Sequence, residues 1–160
     1  MNVVMEGADQ IAIQLDHVSE DILRKVRKQI ELGGQRIVRQ AQKNITKIGA
    51  VDTGNTRASI HSELSDDGMT VTVGPSEKTG EWVELGTPPH PVSPEGMRQI
   101  LEWVHRKLGL EGMEAMNAAA AIAWKIRARG QKPRPYLLPA FESEKAKIID
   151  SIEKALQEGL

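Results

Sequence analysis

The strongest constraint on the fold is one apolar stripe along residues 19–48. Aliphatic residues recur there at three-, four- and seven-residue steps: Ile22, Val26, Ile30, Ile37, Ala41, Ile45 and Ile48. Lys and Arg fill the opposite face, so the spacing predicts one amphipathic helix, capped by Ser19 and ending near Lys47. Such a helix exceeds the usual length of about 11–12 residues. It must therefore lie across a sheet or against another subunit, and Gly33-Gly34 indicates a bend.

After Asp52 the periodicity changes from that of a helix to that of a strand. Residues 59–64 and 69–73 alternate in polarity and predict a hairpin turning at Asp66-Asp67-Gly68, since Asp-Gly is a favoured turn pair. Glu81–Leu85 is predicted as a third strand, reached through a loop over residues 76–80.

The second half of the chain predicts helices. Ser93 and Pro94 open one that ends before Gly109, a second runs over about 113–129, and Pro139 opens the last. Residues 2–5 are a candidate short strand, residues 11–18 fit a short helix or a strand, and residues 136–138 fit a fourth strand or an anchoring turn. The expected class is α+β, with a small antiparallel sheet of three to four strands packed with a long N-terminal helix, two middle helices and a C-terminal helix.

Composition excludes several classes of protein. The 160 residues include 22 acidic and 21 basic side chains, without the basic excess typical of duplex-DNA binders. Cysteine is absent, which excludes disulfide frameworks, zinc ribbons and thiol catalysis. Residues 1–6 lack signal-peptide features, and the longest uncharged apolar segment, 115–124, is far shorter than the ~20 residues of a membrane helix. We expect a soluble protein made in the cytoplasm.

The sequence carries no catalytic motif. Nucleophile elbow, P-loop and dinucleotide fingerprint are all missing. The four histidines, His17, His61, His90 and His105, lack metal-ligand spacing. On the predicted strand Glu81 and Glu84 face opposite sides and cannot act together as acid and base. We therefore expect no enzymatic activity, no metal and no cofactor.

The long helix has a basic face. Its cations are Arg24, Lys25, Arg27, Lys28, Arg36, Arg39, Lys43 and Lys47. Such a face fits nucleic-acid phosphates, but interspersed acids and the near-zero net charge favour an ordinary solvated surface.

Three short segments, in order, resemble one family of proteins. They are VDTGNTRASI (51–60), WVELGT (82–87) and RPYLLPAF (134–141). Together they resemble the bacteriophage tail-component family, the minor neck or tail-completion proteins of long-tailed phages. Thr56 stands where the family often has Leu, and Leu85 where it often has an aromatic residue. The resemblance implies a single neck or tail-completion domain over residues 1–160, with a helical insertion at about 95–129.

The resemblance also assigns structural roles to particular residues. The motif positions are Asp52, Thr53, Gly54, Arg57, Ser59, Glu84, Gly86, Thr87, Arg134, Pro135, Tyr136 and Pro139. Asp52-Thr53-Gly54 suits a turn, Arg57 is expected to pair with Glu84, and Tyr136 to dock into the core. Expected contact surfaces are the loops over 76–80 and 87–94 and the long N-terminal helix, with interface residues Lys78, Pro88, Pro89, His90 and Pro91.

The function that the resemblance implies is structural. We expect a virion protein of the head-to-tail junction, synthesised in the host bacterial cytoplasm, that forms a homo-oligomeric ring around the DNA channel. Its partners would be other neck and connector proteins and the tail terminator or tail tube protein, with at most non-specific proximity to DNA and no membrane. The alternatives are a tail-assembly factor absent from the mature particle and a small DNA-binding regulator that uses the basic face of the first helix.

Overall fold

A computed structural model of the chain describes residues 3–4, 20–50 and 54–157. The predictions for Ser19, for residues 11–18, and for Asp52 and Thr53 lie outside this described part. The chain forms two compact units. We call residues 1–84 with 135–160 the core unit, and residues 85–134 the helical unit.

The core unit is α+β, which confirms the predicted class. Its elements are β1 (Val3–Val4), α1 (Glu20–Lys47), α2 (Asn55–Ala58), β2 (Ile60–Leu64), β3 (Val71–Pro75), α3 (Lys78–Leu85, whose last residue falls in the helical unit) and α6 (Leu137–Gln157). The described sheet is antiparallel with strand order β1-β3-β2. The β2–β3 hairpin forms most of it, because β1 contributes only two residues.

Helix α1 carries the apolar stripe that the sequence predicts, and it ends at Lys47 as expected. Its stripe packs with α6 and the hairpin in one buried cluster. The helix continues through Gly33-Gly34, where we expected a bend, and both glycines are buried. A Cβ on Gly34 would overlap the Val71 side chain, and one on Gly33 would lie 3.0 Å from Ile148 Cγ2. The glycine pair thus lets the sheet and α6 approach α1 closely.

The β2–β3 hairpin turns where predicted, but its strands begin later. Asp67 Oδ1 accepts hydrogen bonds from Ser65 Oγ at 2.6 Å and from Met69 N at 2.9 Å. Thr70 N donates to Ser65 Oγ at 2.9 Å, and Ser65 N donates to Thr70 O at 2.9 Å. These bonds keep residues 69–70 in the turn, so β3 begins at Val71 rather than at residue 69.

The strand prediction for residues 81–85 was wrong, and residues 136–138 do not form the strand that was one of their two predicted alternatives. Glu81–Leu85 belongs to the helix α3, which already begins at Lys78, so residues 78–80 are helical and not a loop. The buried residues Gly80 and Glu84 are four apart, the spacing of one helix face, which five residues were too few to reveal. Residues 136–138 are not a fourth strand either, because α6 begins at Leu137 and places Pro139 in its first turn.

The helical unit contains α4 (Pro94–Leu108) and α5 (Gly112–Arg129). Ser93 caps α4 as predicted, since its Oγ accepts a hydrogen bond from Gly96 N at 3.1 Å. Its buried cluster is small, consisting of Val104, Ala115 and Ala119 with partly buried neighbours. No helix in the described part of the chain is long and apolar enough to cross a membrane.

Candidate functional site

The carboxylate of Glu84 caps the N-terminal end of α6. Glu84 is only 5% exposed. Its Oε2 accepts hydrogen bonds from Tyr136 N at 2.7 Å and Leu137 N at 2.8 Å, and its Oε1 accepts one from Leu138 N at 3.0 Å. The first N–H groups of a helix have no partner within the helix, and a negative charge there also interacts favourably with the helix dipole. Glu84 on α3 therefore serves as the cap that the sequence before α6 does not supply.

Tyr136 connects this cap to the rest of the core unit. Its ring is fully buried, and its hydroxyl donates to Gly80 O at 3.4 Å. Its carbonyl accepts a hydrogen bond from Asn44 Nδ2 of α1 at 3.0 Å. Burial, followed by the nearby Glu84 and Glu81 carboxylates, raises the pKa of the Tyr136 phenol, which keeps it a hydrogen-bond donor. We call Asn44, Gly80, Glu84 and Tyr136 the polar clamp.

The geometry of the polar clamp is that of a structural joint. Both oxygens of Glu84 are engaged by backbone N–H groups, so this carboxylate holds α6 in place. Within the described residues, no group of three or more His, Asp or Glu side chains is arranged to hold a metal ion. The hydrogen bonds of the polar clamp hold α1, α3 and α6 together.

The predicted ion pair between Arg57 and Glu84 does not form. Both are described residues, but Arg57 is exposed on α2 while Glu84 is buried and satisfied by backbone N–H groups. Arg57 instead contributes its carbonyl, which accepts from Gln42 Nε2 at 3.4 Å. Gly54 has φ +91° at the start of α2, as expected of a turn glycine. Ser59, expected in a strand, ends α2, and its Oγ donates to Thr56 O at 2.9 Å.

Gly86 and Thr87 lie in the helical unit and secure the start of its proline-rich loop. Gly86 has φ +71°, and a side chain there would overlap the Gln131 carbonyl. Thr87 and Gln131 form an isolated antiparallel bridge, with both N–H···O bonds at 3.0 Å. The far end of the loop is held by the Ser93 cap.

The predicted interface residues are all exposed. These residues are Lys78, Pro88, Pro89, His90 and Pro91. The Nδ1 of His90 lies 2.8 Å from Pro88 O, so a protonated Nδ1 donates a hydrogen bond within the loop. Arg134, Pro135 and Pro139 are exposed as well, while Tyr136 beside them is buried.

Sequence reasoning missed Asn44 and Gly80, which complete the polar clamp. Asn44 sits on the apolar helix beside the buried Ile45, and a polar residue next to such a stripe was the available signal. Gly80 gave no signal, because its role comes from close packing. A Cβ there would lie 2.5 Å from Pro75 Cβ and 2.9 Å from the Tyr136 hydroxyl.

Comparison with known proteins identifies a family for part of the chain. Residues 9–86, just under half of the chain, match the family described as "Bacteriophage HK97-gp10, putative tail-component". Over these residues the chain is similar to a bacteriophage tail-component family. The match confirms the resemblance noted in the sequence and ends at Gly86, before the third segment. No curated protein and no solved structure matches the chain significantly.

The polar clamp links the matched region to the third family-like segment by hydrogen bonds. Glu84 lies inside residues 9–86, while the N–H groups that it accepts from, on Tyr136, Leu137 and Leu138, lie outside them. The second and third family-like segments are therefore joined by hydrogen bonds in this fold.

Proposed function

We propose that this tail-component family protein is a structural subunit of the phage particle, placed as a ring around the DNA channel at the head-to-tail junction. The observation that carries the proposal is the family match over residues 9–86. In this role the protein would be a neck or tail-completion component needed for joining heads to tails. It would act through shape and interface complementarity and not through catalysis.

The polar clamp supports a rigid subunit. A ring subunit must present the same surface in every copy, and an interface that is already ordered loses less conformational entropy on assembly. The buried hydrogen bonds of Glu84 and Tyr136 fix three helices of the core unit in one arrangement. A fully satisfied buried polar network of this kind favours a unique packing.

The proline-rich loop is the proposed docking arm. Pro88, Pro89, His90 and Pro91 are exposed, while Thr87 and Ser93 hold the two ends of the loop. Proline residues pre-set the backbone, so the arm loses little entropy when a partner orders it. Lys78 is proposed as a second contact. The proposed partners are other neck and connector proteins, the tail terminator or tail tube protein, and neighbouring copies of this chain, with no membrane and only non-specific proximity to DNA.

We further propose one family domain over residues 1–160 with residues 95–129 as its insertion. This segment holds most of α4 and all of α5, and it lies outside the family match. The exposed side chains of Met113, Met116 and Trp124 on α5 suit a surface for contact with other proteins.

Electron cryo-microscopy of particles from the source would test the ring. We expect density at the head-to-tail junction that fits the core unit and repeats around the tail axis. If intact particles contain no copy of the protein, the ring proposal fails. In that case the alternative of an assembly factor absent from the mature particle is favoured.

Loop replacement would test the docking arm. Residues 88–91 are replaced by Gly and Ser at unchanged length. The variant is then the sole form of this protein available to the phage. We expect folded protein, with separate heads and tails accumulating. The matched control carries Glu142→Ala and Glu153→Ala at exposed positions of α6 and should join heads to tails normally. Normal particle yield from the loop variant would exclude the arm as a contact.

A further inference from the structure

Four cations converge on one groove of the core unit. Arg39, Lys43 and Lys47 lie along the C-terminal half of α1, and Arg57 lies on α2. They line the groove together with Gln42, Thr46 and Ala58. All four cations are exposed, and none of the described residues that line the groove is acidic. We call this set the cationic groove.

The charges of these four cations are not neutralised by any ion pair among the described residues. Six other cations of the described chain form local ion pairs with neighbouring carboxylates: Arg24–Asp21, Lys28–Glu31, Arg98–Glu95, Arg106–Glu102, Lys147–Glu144 and Lys154–Asp150. Within the same described residues Arg39, Lys43, Lys47 and Arg57 have no such pair. Four like charges gathered without neutralisation create a local positive potential, although the chain as a whole carries a net charge of −1.

The backbone explains how the four are brought together. Arg39, Lys43 and Lys47 are four residues apart and therefore form one row on α1, rising about 6 Å at each step. Arg57 faces this row from α2, which is attached to α1 by the bond from Gln42 Nε2 to Arg57 O. The helix dipole stabilises cations only in the last turn, which here contains Lys47. It does not account for Arg39 and Arg57.

We propose that the cationic groove binds the phosphate backbone of duplex DNA. Phosphate binding requires positive charge and hydrogen-bond donors, and it needs no apolar anchor. A protein partner is less suited to the groove, since protein interfaces centre on buried aromatic or aliphatic anchors, and among the described residues that line the groove only Ala58 is apolar. The choice of DNA among polyanions rests on the proposed function, which places this subunit around the DNA channel.

Binding to a labelled duplex of random sequence would test the groove. Fluorescence anisotropy is measured on the full chain at a series of NaCl concentrations. If all four cations contact phosphates, the slope of log affinity against log salt should be roughly −3.6. Changing the four together (R39Q, K43Q, K47Q, R57Q) should weaken binding at low salt by at least about tenfold and flatten the slope.

The matched control removes the same charge from paired positions. Its substitutions are R24Q, K28Q, K147Q and K154Q, all at cations with a carboxylate partner. We expect this control to keep its DNA affinity, and circular dichroism melting of both variants checks that they remain folded. Equal loss by the two variants would overturn the proposal, because it would show an effect of total charge alone.

Two other outcomes also overturn it. One is an unaltered chain that does not bind the duplex at low salt. The other is binding to polyglutamate as strong as binding to DNA, which would assign the groove to an acidic protein partner. Either result leaves the ring proposal intact, because that proposal depends on density at the head-to-tail junction. Conversely, DNA binding by a protein missing from the particle would refute the ring and retain the groove.

Discussion

The two units of the chain use their apolar residues in different ways. The core unit fully buries large side chains, including Tyr136, Leu137 and Ile37. Among the described residues, the fully buried members of the cluster in the helical unit are Val104 and two alanines, with partly buried side chains packed against them. On α5 of the same unit Trp124 is 67% exposed and Met113 is 70% exposed.

The difference contrasts a unit with a large buried core and a unit with a small buried core and exposed apolar side chains. The core unit carries the interactions that hold a fold together, and the family match lies within it except for its last two residues, 85 and 86. The helical unit has a small core and exposed apolar residues, a combination typical of surfaces that contact another molecule. We therefore expect substitutions in the polar clamp to destabilise the core unit, and substitutions of the exposed residues of α5 to leave folding unchanged.

The largest expected effect is that of Glu84→Ala. The substitution leaves three backbone N–H groups at the start of α6 without their acceptor in a buried site, so we expect a loss of roughly 3 kcal/mol in the free energy of unfolding. Urea unfolding followed by circular dichroism measures it. Glu84→Gln keeps one acceptor oxygen and should lose less. An unchanged urea midpoint for Glu84→Ala would show that the polar clamp does not stabilise the core unit.

The second prediction compares alanine substitutions at two adjacent glycines of α1. Gly34→Ala should destabilise the core unit by about 1–3 kcal/mol, because its Cβ would overlap the Val71 side chain in the sheet. Gly33→Ala is the matched control, since its Cβ would lie 3.0 Å from the Cγ2 methyl of Ile148. The higher helix propensity of alanine, worth about 1 kcal/mol, should offset that crowding. Equal unfolding midpoints for the two variants would contradict the close approach inferred at Gly34.

A smaller effect is expected within the helical unit. Val104→Ala leaves a cavity in the buried cluster of the helical unit and should lower the free energy of unfolding of this unit by about 1–2 kcal/mol. Faster hydrogen exchange in α4 and α5 would measure this loss. Trp124→Gln changes an exposed side chain and should alter stability by less than about 0.5 kcal/mol. If Trp124→Gln accelerates hydrogen exchange as much as Val104→Ala does, the exposed face of α5 contributes to the folding of the helical unit. That result would contradict the contrast between its buried and exposed residues.

The sequence predicted well the elements that have a long period. The apolar stripe of α1 spans about six turns from Ile22 to Ile45, and such a pattern fits no other structure. The hairpin turn at Asp67-Gly68 was predictable for a related reason, because its side-chain and positive-φ requirements are local. In both cases the signal lies in one continuous segment of the chain and depends on no contact with a distant segment.

The site was predictable in its residues but not in its geometry. Glu84 and Tyr136 were singled out through the family resemblance, yet the expected partner of Glu84 was Arg57. Charge suggested an ion pair, whereas the structure satisfies the carboxylate with backbone N–H groups far away in sequence. The short segment 81–85 read as a strand, and that error hid the helix that carries Glu84 to the start of α6. Caps supplied from another element leave no spacing in the sequence by which they can be found.

The smallest expected effect lies at the edge of the core unit, on β2. The Ser59 carbonyl and then the Glu63 carboxylate raise the pKa of His61 above its usual value near 6.5. A raised pKa in the folded state stabilises the protein fully below the unfolded pKa, and this contribution is lost as pH rises through the folded pKa. Because the imidazole is 45% exposed, solvent screening limits the gain to roughly a few tenths of a kcal/mol. Urea unfolding at about pH 5.5 and pH 8 should show this increment in the unaltered chain and not in His61→Gln, which isolates it from the other histidines. A much larger increment would show that the edge strand β2 contributes strongly to the stability of the core unit, which we do not expect.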